Sequence, residues 1–181
     1  MRTTKTPAAP GPRVADAIED LGPLDGVADS LGRAASHLRE RPALAHALQG
    51  AGLGHPLHPA LVHFPIGFAV AALVSDVVGG RYADDVTRAL TRLTFLSAVP
   101  AALTGLADAD RVRGERPRRL VAAHALVNSK GTLLAFVSCL ARTSGHHGWA
   151  RLLLAGSVVS YSAGGFFGGL LVYREKAGVQ D

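Results

Sequence analysis

The sequence predicts an all-α membrane protein: a four-transmembrane-helix bundle preceded by short cytoplasmic or interfacial amphipathic helices. Three observations carry this. The chain has 181 residues, of which 48% are hydrophobic, and the apolar ones concentrate after Leu57. They fall into four runs of about 20 residues, the length that about 30 Å of hydrocarbon requires. Arginines cluster in the breaks between the runs, and Trp149 and Tyr173 bound the last run as interfacial anchors.

Taken in order, residues 1–23 are expected to form a disordered tail, Pro-, Thr- and Ala-rich at its start. Residues 24–52 form an amphipathic segment in which Val27, Leu31, Ala34, Ala35 and Leu38 recur at helical spacing. Pro42 divides it into two short helices, which either lie on the membrane surface or pack on the end of the bundle. Gly50, Gly52 and Gly54 make the hinge into a membrane domain spanning residues 53–181. The first span is expected at about Pro59–Val78, with Pro59 in the first turn and Pro65 bending the helix. The second runs at about Val86–Ala107, the third at about Leu120–Ala141 and the fourth at about Trp149–Tyr173. The second is the most polar, so three spans plus a re-entrant segment is the alternative arrangement.

Composition narrows the function. The formal charge is +5 and the pI about 10.0, but 16 of the 19 basic residues are Arg, placed mostly in loops and the N-terminal region. In a hydrophobic chain that distribution points to topology and anionic-lipid contact, not to nucleic acid. One side of the membrane receives Arg39, Arg41, Arg111, Arg113, Arg116, Arg118, Arg119, Arg174 and Lys176; the other receives only Arg81, Arg88, Arg142 and Arg151. The positive-inside rule therefore places both termini in the cytoplasm, in the inner membrane of a bacterium. The first 20 residues hold no apolar signal-peptide core, being interrupted by Asp16, Glu19 and Asp20. The single cysteine, Cys139, leaves no internal disulfide and no all-cysteine zinc or iron–sulphur site, and reads as small core packing.

The polar residues converge on one leaflet. His55, His58 and His63 stand at the mouth of the first span, where histidine needs partners or a purpose. His63 lies four residues past Pro59 and His124 five past Arg119, roughly 6 and 7.5 Å into their helices and so matched in depth. Asn128 shares a face with His124 at i, i+4, Asp108 closes the second span and Tyr173 the fourth. Lys130, near the middle of the third span, either snorkels or pairs with Asp76 across the bundle. Ser160, Gly164 and Gly168 form a small-residue stripe for helix packing, within the chain or between copies in a homo-oligomer; a flat wall for a cofactor is the alternative.

These motifs resemble a family of bacterial four-helix integral membrane domains of unknown function, members of which are associated with Rieske iron–sulphur proteins. The resemblance covers about Leu24–Val179. It rests on Leu53-Gly54-His55-Pro56-Leu57-His58-Pro59, Pro65-Ile66-Gly67, Gly105-Leu106-Ala107-Asp108, His124 with Asn128, and Gly168-Gly169-Leu170-Leu171-Val172-Tyr173. It implies the four-helix fold and the membrane location, with no activity attached. Leu170 stands where the family commonly has an acidic residue, and the Rieske ligand pairs are missing, so a redox partner of that kind would be a separate chain.

Three readings stay open. The first is a redox-associated subunit binding b-type haem through His63 and His124, with His58 or His55 as alternative ligands and Asp108 or Asn128 orienting them. The second is a zinc or copper site drawn from His55, His58, His63, His124 and Asp108. The third is a structural or assembly subunit whose histidines only stabilise helix packing. No nucleophile elbow, phosphate loop or zinc-protease helix is present, and His146-His147 reads as a solvated turn.

Overall fold

The computed structural model describes residues 10–174; Lys176 and the first nine residues of the expected tail lie outside them. The described residues form helices joined by turns: α1 (Pro10–Glu19), α2 (Asp25–Arg39), α3 (Pro42–Leu48), α4 (His58–Leu61), α5 (His63–Val78), α6 (Ala83–Ala109), α7 (Glu115–Thr143) and α8 (His147–Tyr173). Four segments are long and apolar enough to cross a membrane: His58–Val78, which joins α4 to α5, then α6, α7 and α8. The re-entrant alternative is thereby set aside. The polarity that suggested it is accommodated inside α6, where Thr91 Oγ1 donates to the Thr87 carbonyl (2.7 Å) and Thr94 Oγ1 to that of Leu90 (3.0 Å). Such turned-back hydroxyls need no water.

The four spans pack as a square. α5 lies along α6, α6 on α7, α7 along α8 and α8 back on α5, so α5 faces α7 across a diagonal. The interior is built from small side chains: Ala69, Ala72, Ala98, Ala101, Ala135, Thr87, Thr91, Thr94, Ser138 and Ser157 are all buried. Cys139 is buried among them, in keeping with a packing role. Large apolar side chains such as Leu96, Leu133, Leu152 and Val159 are turned outward and exposed. A water-soluble bundle has the opposite distribution. This one fits lipid, where close backbone approach through small residues replaces the hydrophobic drive between helices. Trp149 and Tyr173 are exposed at the two ends of α8, where an aromatic belt would hold them.

Pro65 explains the break between α4 and α5. It has no N–H to give to the Leu61 carbonyl, and the helix is interrupted at Val62. Before the spans, Gly50 and Gly54 both adopt positive φ (74° and 73°) around a short 3-10 turn. A Cβ on Gly50 would stand 2.2 Å from the His55 carbonyl oxygen, so only glycine fits this corner.

The N-terminal segment differs from expectation. The tail anticipated through residue 23 is helical from Pro10, and α1 packs against α7 and α8. Its buried Glu19 lies 3.5 Å from Arg116 and 3.3 Å from Arg174, and Arg174 also reaches Asp16 at 2.7 Å. These contacts come from residues about a hundred or more positions away, which local composition does not report. Pro42 separates α2 from α3 as expected, and α2 packs on the ends of α6 and α7. Arg119 binds Asp25 through Nε (2.6 Å) and Nη2 (2.9 Å), while Arg118 Nη2 bonds the Ala28 carbonyl at 3.1 Å.

At the opposite end a charge network joins all four spans. Arg142, 4% exposed, reaches Asp76 Oδ1 at 2.7 Å and Asp84 Oδ1 at 2.8 Å. Arg151 Nε donates to Asp76 Oδ2 (2.7 Å) and its Nη2 to the Asp76 carbonyl (3.0 Å). Arg88 pairs with Asp84, and His147 Nδ1 lies 3.2 Å from the same carboxylate. His146 and His147 are exposed at the turn into α8, as expected, and His147 borders the network there. Asp76 is engaged by two arginines, and Lys130, the partner suggested by sequence, is exposed on the outside of α7.

Two outcomes follow for stability. Asp76→Asn removes the carboxylate shared by Arg142 and Arg151, leaving the buried Arg142 with Asp84 as its remaining carboxylate partner, and is expected to cost roughly 2–3 kcal/mol. Asp85→Asn, on an 83%-exposed side chain, should cost under about 0.5 kcal/mol; thermal midpoints in detergent compare the two. The second outcome concerns pH. The hydrogen bonds from Arg119 hold the Asp25 carboxyl below its ordinary value of 3.8. A depressed folded-state value means the contact contributes fully above 3.8 and is lost as pH falls through the lower folded value. Hydrogen-exchange protection of α2 should therefore be flat from neutrality to about pH 4 and decline only below that.

Candidate functional site

The polar centre at the end of the bundle that carries α1–α3 is a diagonal pair of imidazoles, His58 from α4 and His124 from α7. Their ring centroids lie 6.1 Å apart with an interplanar angle of 78°. Each ring is held by a carbonyl from a neighbouring span. His58 Nδ1 donates to the Ala101 carbonyl of α6 at 2.9 Å, and His124 Nδ1 donates to the Gly164 carbonyl of α8 at 2.9 Å. A carbonyl can only accept, so Nδ1 carries a proton in both rings, and in the neutral form of either ring the lone pair is on Nε2.

Glycines make room for this arrangement. A Cβ on Gly105 would stand 2.8 Å from His58 Cε1, and one on Gly168 would stand 3.3 Å from His124 Cε1. Asn128, one turn after His124, lies flush on Gly164, where a Cβ would meet its Oδ1 at 2.4 Å. Its Nδ2 donates to the His124 carbonyl at 2.8 Å and is nearly equidistant from His124 Nδ1 (3.4 Å) and Nε2 (3.3 Å). That position is over the ring face and off the line of the Nε2 lone pair. Thr132 continues the stripe, bonded to the Asn128 carbonyl and to the Tyr161 hydroxyl, each at 3.0 Å.

Asp108 stands at the water-side edge. Its carboxylate is within electrostatic reach of His58 and Arg111, the latter at 3.6 Å. Its Oδ1 is buried with no hydrogen-bond partner. Gln49 covers this end of α6: its Nε2 donates to the Ala107 carbonyl (2.9 Å), and its Oε1 accepts from Arg111 (3.0 Å).

The sequence-derived site residues divide accordingly. His58, His124, Asn128 and Asp108 are brought to one end of the bundle. His63 is not: it is exposed, and its Nδ1 contacts only the Ala60 carbonyl of its own helix at 3.3 Å. Five helical steps of about 100° turn His63 some 140° away from His58, so the two cannot both face the interior. His124 therefore meets His58 and not His63. His55 is exposed in the preceding loop against the Pro56 carbonyl (3.2 Å). The four-histidine set proposed for zinc or copper is not assembled, and among the described residues no group of three or more His, Cys, Asp or Glu is gathered in metal-binding proximity. Tyr173 is 89% exposed, outside the cluster. Gly105 escaped sequence reasoning as a site residue; its signal was the Gly105-Leu106-Ala107-Asp108 string, which put a residue without a side chain one turn before Asp108.

The small-residue stripe of α8 faces inward. Ser160 is buried, and Gly164 and Gly168 receive Asn128 and His124 from α7. It is a packing seam within one chain, spent on α7 and unavailable as the homo-oligomer contact suggested by sequence.

Fold and site together define a polytopic α-helical membrane protein with a polar centre inside one end of its bundle. The chain belongs to the family described as Predicted membrane protein (DUF2231), which matches residues 54–181. No curated protein and no solved structure matches it.

The seam has a direct test. Gly164→Val should displace Asn128 and lower the thermal midpoint, at a cost of about 1–3 kcal/mol. Gly165→Ala, where an added Cβ meets nothing within 4 Å inside α8, should not lower it and should raise it slightly.

Proposed function

We propose that this protein is a redox-associated subunit of a bacterial inner membrane, with both termini cytoplasmic, whose working centre is the His58–His124 pair. The observation that carries this reading is the pair itself: two imidazoles from diagonal helices, 6.1 Å apart, each with Nδ1 fixed by a main-chain carbonyl. Such outer bonds orient ligating histidines. His58 and His124 are the residues that would hold a b-type haem, being two imidazoles delivered by different helices to one level of the bundle. Bound there, haem iron would supply one-electron transfer.

The chain's own residues have definable tasks. The Ala101 and Gly164 carbonyls hold the Nδ1 protons and direct each Nε2 lone pair. Asn128 covers one face of His124 and keeps it from rotating. Gly105 and Gly168 let the backbones of α6 and α8 come against the rings. Asp108 places a negative charge beside His58, which favours positive charge at the pair.

The orientation rests on charge. The arginines at the outer end are largely neutralised, with Arg88, Arg142 and Arg151 paired to Asp76 and Asp84. The arginines on the side carrying the histidine pair are salt-bridged too, so the orientation follows from the number of basic residues, which is larger on that side.

A second reading has its own observation. Rings 6.1 Å apart at 78° already make an edge-to-face contact, and every Nδ1 is satisfied, so the pair can act purely as a lock between diagonal helices in an assembly subunit. An absorption spectrum of protein purified from haem-supplemented cells separates the two. The redox reading expects a Soret band that is lost in His58→Ala and in His124→Ala and retained in His63→Ala. A colourless protein in which the first two variants only lower the thermal midpoint would leave the lock.

A further inference from the structure

On the water side of the same end, a cavity of about 460 Å³ lies between α2 and the turn joining α6 to α7. Four arginines line it, Arg33 and Arg39 from α2, Arg113 from the turn and Arg118 from the start of α7, together with two carboxylates, Asp29 and Asp110. The carboxylates are already engaged. Arg39 lies 3.1 Å from Asp110, and Arg118 lies 3.2 Å from Asp29. That leaves two cations without a carboxylate among the described residues: Arg33, whose guanidinium bonds only the Ser30 hydroxyl (3.0 Å), and Arg113. The wall is shaped around one of the arginines, since a Cβ on Gly32 would stand 2.7 Å from Arg118 Nη2.

Two unneutralised guanidinium groups across a cavity are a fit for one anion with several oxygens, because planar forks bind phosphate with paired N–H bonds. The cavity lies at the end of α6 and the start of α7, the ends of two candidate spans, where a bilayer around the bundle would present its headgroups. We infer that this cavity is a phosphate-binding site, occupied by the headgroup of an anionic phospholipid through Arg33 and Arg113. A free phosphate ion presents the same chemistry. The site is independent of the histidine pair and of what that pair binds.

The test uses the full chain in neutral detergent and reads its thermal midpoint against added short-chain phosphatidylglycerol, short-chain phosphatidylcholine or inorganic phosphate. Phosphatidylglycerol should give a saturable rise that phosphatidylcholine does not. In Arg33→Gln/Arg113→Gln the half-saturating concentration should increase by about tenfold or more, the scale of losing contacts to a charged group. Arg33→Lys/Arg113→Lys should keep part of the response, and Arg13→Gln/Arg41→Gln, which removes the same charge from exposed positions outside the cavity, should keep all of it. A comparable rise with inorganic phosphate, lost in the same glutamine variant, supports the site and assigns it to a soluble ligand. The inference is overturned if no anion gives a saturable rise, or if the two glutamine variants weaken the response equally.

Discussion

The bundle depends on one constraint: within hydrocarbon, every polar group has to be answered by another part of the same protein. The spans meet it with short side chains. Ser157 Oγ donates to the Gly131 carbonyl of α7 at 2.8 Å, and Ser138 Oγ to the Ala150 carbonyl of α8 at 2.7 Å. Only helices lined with Ala, Gly, Ser and Thr come near enough for one helix's hydroxyl to reach another's backbone. The small interior is therefore both the packing surface and the source of hydrogen bonds. Larger polar side chains span the diagonal at the two ends: His58 to His124 at one, Asp76 to Arg142 at the other.

This division explains what sequence could and could not disclose. The spans were legible because hydropathy over some 20 residues is a bulk property, insensitive to which way any residue points. Their observed ends extend a few residues beyond the expected ones, since helices continue past the hydrocarbon while charged residues can reach water. The alignment of His124 with Asn128 was legible too, being fixed by one helical turn. Its partner was not. Depth along two helices gives one coordinate, whereas a contact also needs the rotation of each helix, and five helical steps turn His63 roughly 140° from the face that carries His58. Arg142 was misread for a related reason. Near the end of an apolar run it resembles a loop residue, and only the positions of Asp76 and Asp84 on other helices make it an interior one. Helix α1 was missed because its anchors, Arg116 and Arg174, are distant in sequence and its own composition is that of a tail.

The α8 stripe carries a similar lesson about alternatives. Small residues at four-residue spacing are compatible with packing inside a chain, between copies or against a flat ligand, and periodicity does not choose among them. The choice comes from what faces the stripe. Gly164 and Gly168 are filled by Asn128 and His124, side chains that need carbonyls as well as space. A glycine provides both at once, since without a Cβ the Gly164 carbonyl is open to a side chain lying across it. Packing seam and polar centre are therefore one feature.

The segment before residue 54 bears on the centre without belonging to the matched family region. The end of α3 places Gln49 over the Ala107 carbonyl, and the same side chain takes a bond from Arg111, the cation nearest Asp108. Arg111 is thus divided between Gln49 and Asp108, and the Asp108 oxygen left without a partner is the one Arg111 approaches only to 3.6 Å. The side chain that ends α3 thus shares one polar network with a carboxylate that lies within electrostatic reach of His58. On the reading proposed above, a change at Gln49 would reach the pair through Arg111 and Asp108, since a buried group responds to its nearest charges.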